Sequence, residues 1–585
     1  MTRIFADPES FVDDALEGFA RSHPHVVRRV DGGIVRTAPL VDGQVAVVIG
    51  GGSGHYPAFA GLVGPGVAAG AVCGNIFSSP SARQAVSVAR AVDAGGGVLF
   101  SYGNYAGDVI HFGAAERELR VSGLDVRTVL VTDDIASAPP DAPATRRGIA
   151  GDLCVFRVAG AAAEEGADLD EVERVAVHAN NRTRSLGVAF AGCTLPGADT
   201  PLFTVPEGMM SVGLGIHGEP GVRDVPLQRA PELAATLLEP LLAERPDGAG
   251  ERAVLIVNGL GTVKYEELFV LFRYLSDLLA DAGVEVVSPL CGELVTSLDM
   301  AGASVTLLWV DDELERLWNA PALSASFTRG SVRVGGAPLP RRPAGAESAP
   351  AAAPTADDSE PEVGRPAATP RSQAAAERAT TLLGTARDAV AARVEELGAL
   401  DAVAGDGDHG VGMLRGLDAA VDAATGAGPA RGVGELLRRA GAAWADKAGG
   451  TSGALWGGAL EAMGDALQDS ALDAAAVADA VHAARERIAQ LGGAQPGDKT
   501  MIDALVPFDE ELRQHVGSGA DLVGALRDAA VAASRAAENT AALTPRLGRA
   551  RPLAERSVGH PDPGAVSFAV IVGALAARSA QEEES

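Results

Sequence analysis

Apolar residues in the first half of the chain fall into short continuous runs. Residues 45–49 read Val-Ala-Val-Val-Ile, and comparable runs occupy 97–101, 127–131, 253–257, 284–288 and 305–309. Runs of this length, rich in β-branched residues and bounded by glycine, predict buried strands. Between them the spacing of apolar positions predicts helices over 80–93 and 265–282, and a short amphipathic helix over 8–21. Strands alternating with helices imply an α/β layered fold. The pattern changes near residue 338. Residues 338–372 are dominated by Pro, Ala, Glu, Ser and Arg with no apolar period, and read as a flexible linker. Beyond it β-branched runs almost vanish. Ala, Leu and Arg recur at helical spacing over 374–397, 432–446, 472–491 and 520–537, predicting an all-α unit of about eight helices. The expected organisation is an α/β domain at 1–337, the linker at 338–372 and an all-α domain at 373–585.

Composition narrows the function classes. A formal charge of −29 argues against nucleic acid as a partner. Asp7, Glu9, Asp13 and Asp14 replace the apolar core of a signal peptide, and no stretch reads as long and apolar enough to span a membrane. Cys73, Cys154, Cys193 and Cys291 are widely spaced and read as reduced, buried thiols. A cytoplasmic protein with no membrane partner is expected. Lysine occurs only at 264, 447 and 499, and the last two lie in Gly-rich stretches, which hints at an ammonium near phosphate.

The polar chemistry sits in Gly-rich interruptions. Residues 401–410, Asp-Ala-Val-Ala-Gly-Asp-Gly-Asp-His-Gly, put three carboxylates and an imidazole into ten positions. Carboxylates this close repel unless a cation lies among them, and Mg²⁺ typically takes carboxylates plus substrate phosphates. A solvated acidic turn stays open as a reading. An EF-hand does not, since the twelfth positions are Gly412 and Leu417. Gly449-Gly-Thr451-Ser452-Gly453 precedes a helix and can hold phosphate at its positive end. Residues 492–500 imitate a P-loop, but Asp498 displaces the lysine from register and no strand precedes it. Residues 555–564 form a rigid polar turn. In the first half, Gly50-Gly-Gly-Ser53-Gly54-His55 follows a strand, and Pro57 stands where a Rossmann fingerprint needs its third glycine. Asp108 and His217 also sit in Gly-rich stretches expected to be loops after strands.

These motifs resemble a known family. GGGSGH, GNYAGD, RRGIAGD and GLGIHGEPG are similar to the substrate subunit of dihydroxyacetone kinases. LDAVAGDGDHG, GGTSGALWG, PGDKTMIDAL and ERSVGHPDPGA are similar to its nucleotide-binding subunit. The resemblance implies two α/β subdomains followed by a helical barrel, the fused ATP-dependent branch of the family, and a homodimer. It implies that His217 holds a ketose as a covalent hemiaminal, that Asp108 is the general base, and that His55 hydrogen-bonds the substrate, with Gly52, Ser53, Gly54 and Gly103 lining the pocket. Asp401, Asp406 and Asp408 would ligate Mg²⁺. Gly407, His409, Thr451, Ser452, Gly492, Thr500, Met501, Asp562, Pro563 and Gly564 would border ATP together with Asp406 and Asp408. The chain departs from the dihydroxyacetone pattern at Tyr56 and at Gly103, where a lysine is usual and where its loss is expected to leave space beside Asp108. The departures look like the erythrulose kinase branch, so the expected reaction converts D-erythrulose to D-erythrulose 4-phosphate. Alternatives are dihydroxyacetone or L-erythrulose as substrate, or a non-catalytic regulator.

Overall fold

The computed structural model describes residues 4–219, 221–330, 368–405, 407–427, 431–547 and 554–584. Six strands form the first sheet: Val27–Val30 (β1), Gly33–Arg36 (β2), Ala46–Ser53 (β3), Gly70–Ile76 (β4), Val98–Gly103 (β5) and Val126–Val131 (β6). Their order is β1-β2-β4-β3-β5-β6, and the four strands from β4 to β6 run parallel. The chain leaves β3 for β4 on one side and returns to β5 on the other. That reversal opens a crevice beyond the carboxyl ends of β3 and β5, where ligands of such sheets collect. Phe11–Ser22 is α1. Ala82–Val92 (α2) and Ala106–Val121 (α3) cover one face, burying Val88, Phe100 and Phe112 together. Asp152–Glu164 (α4) and Leu169–Asn181 (α5) cover the other.

The second sheet contains Thr183–Ala191 (β7), Met209–Val212 (β8), Arg223–Pro226 (β9), Arg252–Gly259 (β10), Glu285–Val286 (β11), Leu290–Gly292 (β12) and Ala301–Trp309 (β13). Its order is β11-β10-β13-β7-β8-β9, with β12 beside β10. The run predicted at 284–288 pairs over only two residues. Ala230–Ala243 (α6) and Tyr265–Asp281 (α7) shield the outer face, and Asp312–Asn319 (α8) lies on the inner side. A small hairpin, Ala322–Leu323 (β14) and Thr328–Arg329 (β15), closes this half. Helix α4 is buried along its length because one core takes in the inner faces of both sheets. Gly160 lets it touch the chain before β4, since a Cβ there would lie 1.9 Å from the Val67 carbonyl oxygen.

The second half is helical throughout its described residues. Pro370–Ala391 (α9), Val394–Asp401 (α10), His409–Ala427 (α11), Val433–Ala448 (α12), Gly450–Leu467 (α13), Ala474–Gly492 (α14), Ile502–Gly517 (α15), Leu522–Asn539 (α16), Ala554–Ser557 (α17) and Pro563–Glu584 (α18) follow one another. Eight of these ten have 16 or more residues. From α11 to α16 each packs on the next, α18 packs on α16, and α9 closes the ring against α18 and α11. Small residues permit the close approaches: a Cβ at Gly416 would lie 2.2 Å from the Trp444 indole nitrogen, and Trp444 stacks on Trp456. Of the predicted linker, 338–367 lie outside the described residues, and residues 370–372 already open α9.

One expectation needs correction. Residues 563–582 are long and apolar enough to cross a membrane by composition, with a mean hydropathy of 1.4. In the fold this segment is α18, packed between α16, α15 and α9, and its apolar content serves contacts on several sides. The four cysteines are unpaired; three are buried and Cys291 is partly so.

Gly160→Ala forces a backbone collision at the centre of the α/β half. The expected loss is about 1–3 kcal/mol, read as a lower denaturation midpoint of that half by urea titration.

Candidate active site

The candidate site forms where segments of the two sheets meet. Gly54 and His55 leave the end of β3 and pair with the segment after β12: Leu298 N–H donates to Gly54 O, and Thr296 N–H to His55 O. His217 comes from the loop after β8, closed by Gly215 N–H to Glu219 O and Gly218 N–H to Gly215 O. The two imidazoles meet at 3.1 Å, Nε2 to Nε2. Their outer nitrogens assign the tautomers. His55 Nδ1 lies 2.8 Å from the Thr296 carbonyl oxygen, which can only accept. His217 Nδ1 lies 3.1 Å from Glu219 Oε1. Each ring therefore keeps its proton on Nδ1 and turns an Nε2 lone pair toward the other. A ligand with a hydrogen-bond donor or an electrophilic carbon is what such a pair accepts. Burial, then the neighbouring His217, pushes His55 down to about 3, so it stays neutral at ordinary pH. Phe77 stacks on His55 at 5.0 Å and meets His217 edge-on, and Tyr105 meets His217 from another side at 4.7 Å.

Asp108 is not in a loop, as expected from sequence, but in the first turn of α3. There the positive helix end favours its carboxylate, and Ser79 Oγ donates to Oδ2 at 2.8 Å. Immediately before it, Gly107 abuts the helical half. A Cβ at 107 would lie 3.1 Å from Gly450 C and Thr451 N, the first residues of α13. Two helix starts thus converge backbone to backbone. His111 Nε2 reaches Gly450 O at 3.2 Å, Ser81 Oγ donates to Asp446 Oδ1 at 2.6 Å, and Arg83 bridges Asp446 and Asp31.

The acidic loop folds around Asp401. Its Oδ2 accepts from Gly407 N–H at 2.9 Å, a Cβ at Gly405 would collide with its carboxylate, and Gly407 holds φ +78°. Asp408 precedes α11, and His409 Nε2 meets Ser567 Oγ of α18 at 2.9 Å. Burial, then the charge on Asp401, pushes both Asp408 and Asp562 up to about 7. A bound cation would relieve that repulsion, so these carboxylates fit a metal ion. Asp406 lies outside the described residues. Among the described residues no three acidic, imidazole or thiol groups converge closely enough to hold an ion alone, and Mg²⁺ fills its shell with phosphate and water.

Other expected positions divide. Gly52 and Gly54 are needed for close approach to residues 77–78, whereas the Ser53 hydroxyl is spent on Gly74 O at 2.6 Å. A side chain at Gly103 would meet the Tyr105 ring and Gly148 O, so the space expected there is filled. Tyr56 is half exposed and packs on Phe19 of α1. Thr451 and Ser452 lie in the first turn of α13, which Gly450 opens, and Gly492 lies against Leu455 a turn further on. The start of α15 gathers Thr500 and Met501, with Gly564 against Met501 and Pro563 opening α18. The lysine hint fails for Lys499 alone. Lys447 is exposed, and Lys499 Nζ is buried on the carbonyls of Ser557 (2.6 Å) and Leu543 (3.1 Å).

The Dak1 domain model matches residues 17–326 and the DAK2 domain model matches 403–577. The chain belongs to the two-domain dihydroxyacetone kinase family. It is 54% identical to the L-erythrulose kinase of Pectobacterium atrosepticum over 99% of this chain and 96% of that one. It is 52% identical to the D-erythrulose kinase of Mycolicibacterium smegmatis over 98% of each. The dihydroxyacetone kinase of C. freundii in complex with AMP-PNP and Mg²⁺ matches at 28% identity and TM-score 0.52, covering 99% of both chains. The chain is an ATP-dependent ketose kinase of the erythrulose and dihydroxyacetone type.

Reading the sequence missed Glu219, Ser79, Phe77 and Tyr105. Glu219 stands two residues from His217 in GLGIHGEPG, and its acidity beside an imidazole was the available signal. Phe77 had none, since its stacking partner lies 22 positions away.

Burial holds His111 neutral, down to about 4, against 6.5 in an unfolded chain. The unfolded state therefore binds this proton first, and stability falls as pH drops from 6.5 toward 4, by about 1.4 kcal/mol per pH unit. Thermal melts of His111→Gln should show a shallower acid loss than wild type across that window; parallel curves would contradict the assignment.

Proposed function

We propose that this chain transfers a phosphoryl group from ATP to a terminal hydroxyl of erythrulose held as a hemiaminal on His217. The observation that carries the reading is the contact of Gly107 with Gly450 and Thr451. It sets Asp108, the candidate base, next to the helix start that suits phosphate, within the half that also holds both imidazoles. Erythrulose is supported by the likeness to the L- and D-erythrulose kinases.

The chemistry follows from the residues. The Nε2 lone pair of His217 adds to a ketone carbon, and a polyol offers no such carbon, so ketoses are separated from glycerol by bond formation. His55 Nε2, 3.1 Å from His217 Nε2, would accept a hydrogen bond from the hydroxyl formed as the carbonyl oxygen is protonated. Asp108 then accepts the proton of the terminal hydroxyl, its carboxylate oriented by Ser79. Phe77 and Tyr105 exclude water from the ring edges. When bound, ATP with Mg²⁺ supplies the phosphoryl group and neutralises charge on its oxygens. Asp401, Asp406 and Asp408 would hold the metal and Thr451 and Ser452 the phosphates, with Gly492, Thr500, Met501 and residues 562–564 at the nucleotide.

ADP release measured with D-erythrulose, L-erythrulose, dihydroxyacetone and glycerol tests the reading. The highest kcat/KM is expected with an erythrulose, and none with glycerol; silence with every ketose leaves only a regulator. The D to L ratio assigns the enantiomer, expected from sequence to be D. Asp108→Asn should lower kcat by about 10²–10⁴ with ketose capture retained, and a near wild-type kcat would remove its role as base. Chelation of divalent ions should abolish turnover.

A further inference from the structure

A nucleophilic imidazole needs its lone pair on one nitrogen only, and needs somewhere to put the charge it acquires. The loop that carries His217 answers both needs with one side chain. Glu219, 6% exposed, accepts from His217 Nδ1 at 3.1 Å through Oε1 and from the His217 backbone N–H at 3.0 Å through Oε2. Arg147 Nη1 faces Oε2 at 3.7 Å, and the same guanidinium is gripped by Asp134 through Nε at 3.0 Å and Nη2 at 2.8 Å. His217, Glu219 and Asp134 are buried and Arg147 nearly so. Gly215 makes the room: a Cβ there would lie 2.1 Å from Glu219 Oε2 and 2.7 Å from Arg147 Nη1. This arrangement is built rather than incidental, because a carboxylate, a guanidinium and a second carboxylate are costly to bury without mutual pairing.

We propose that Glu219 is a positioning residue for covalent ketose capture: it locks the Nδ1–H tautomer of His217 and offsets the positive charge that the ring gains when Nε2 bonds to the ketone. The inference rests on the hemiaminal reading above. In the step, the Nε2 lone pair forms the C–N bond, the C=O π pair moves to oxygen, and that oxygen takes one proton from solvent. The ring keeps its Nδ1 proton and becomes cationic, facing the Glu219 carboxylate. Arg147 pairs with that carboxylate and aims it, and Asp134 fixes Arg147. The logic is that of a carboxylate orienting a reactive histidine, with the imidazole acting as nucleophile instead of base.

The test uses the full chain, [2-¹³C]dihydroxyacetone as probe, and steady-state kinetics. Wild type should convert the probe's ketone resonance to that of a tetrahedral carbon on binding, and His217→Ala should not. Glu219→Gln should raise ketose KM by roughly tenfold to a hundredfold, the size of a lost charge-assisted hydrogen bond, and deplete the tetrahedral signal. KM for ATP should stay unchanged, and Glu219→Asp should recover part of the loss. A general packing defect would instead lower kcat and the melting temperature without this split. If Glu219→Gln folds poorly, Gly215→Ala reads the same point by displacing the carboxylate, and the same rise in ketose KM is expected. A tetrahedral signal in wild type with unchanged ketose KM and signal in Glu219→Gln, or in Gly215→Ala, overturns the role of Glu219 and leaves the hemiaminal standing. No tetrahedral signal in wild type overturns the hemiaminal itself and the inference with it.

Discussion

Two helix starts touch at a point where neither carries a side chain. Gly107 in α3 lets that helix approach the Gly450–Thr451 backbone of α13 to contact distance, and the rest of the site is arranged about that contact. A methyl group at 107 would press on the opposite backbone, so the halves could not close to this separation. Both helices bring exposed N–H groups and the positive end of a dipole. Two such ends side by side repel weakly until an anion lies between them, which suits a group in transit from one half to the other. Polar bonds flank the contact and set its register: His111 to Gly450 O, and Asp446 to Ser81 and Arg83.

The two halves solve different electrostatic problems. Around His217 the problem is to orient two imidazoles: burial keeps His55 neutral while the Thr296 carbonyl fixes its Nδ1, and a buried carboxylate fixes Nδ1 of His217. Around Asp401 the problem is crowded negative charge. Asp408 and Asp562 are buried within reach of its charge and are pushed toward the neutral form. One pocket is complete with protein groups alone; the other is under charge strain that a cation removes.

Glycine runs through both solutions for different reasons. At Gly407 it supplies a left-handed backbone that turns an N–H back onto Asp401. At Gly215 it supplies space for the pair of Glu219 and Arg147. The Gly-rich motifs are therefore dense with close approaches, and the reactive side chains sit where those approaches leave room.

The sequence by itself determined the fold classes of both halves, because five-residue apolar runs and the 3.6-residue period are local properties that burial acts on directly. It also pointed to His55, Asp108 and His217, since polar residues among glycines are conspicuous. It misjudged what depends on tertiary surroundings: Gly103 leaves no gap because Tyr105 fills it, and Lys499 is buried on two carbonyls. Only the tertiary structure decided that Gly107 meets Gly450, 343 positions apart in sequence, and that Arg147 stands behind Glu219. Those contacts join segments with no shared period or motif. They exist because helix and sheet packing brings them together, and that packing is set by the whole core.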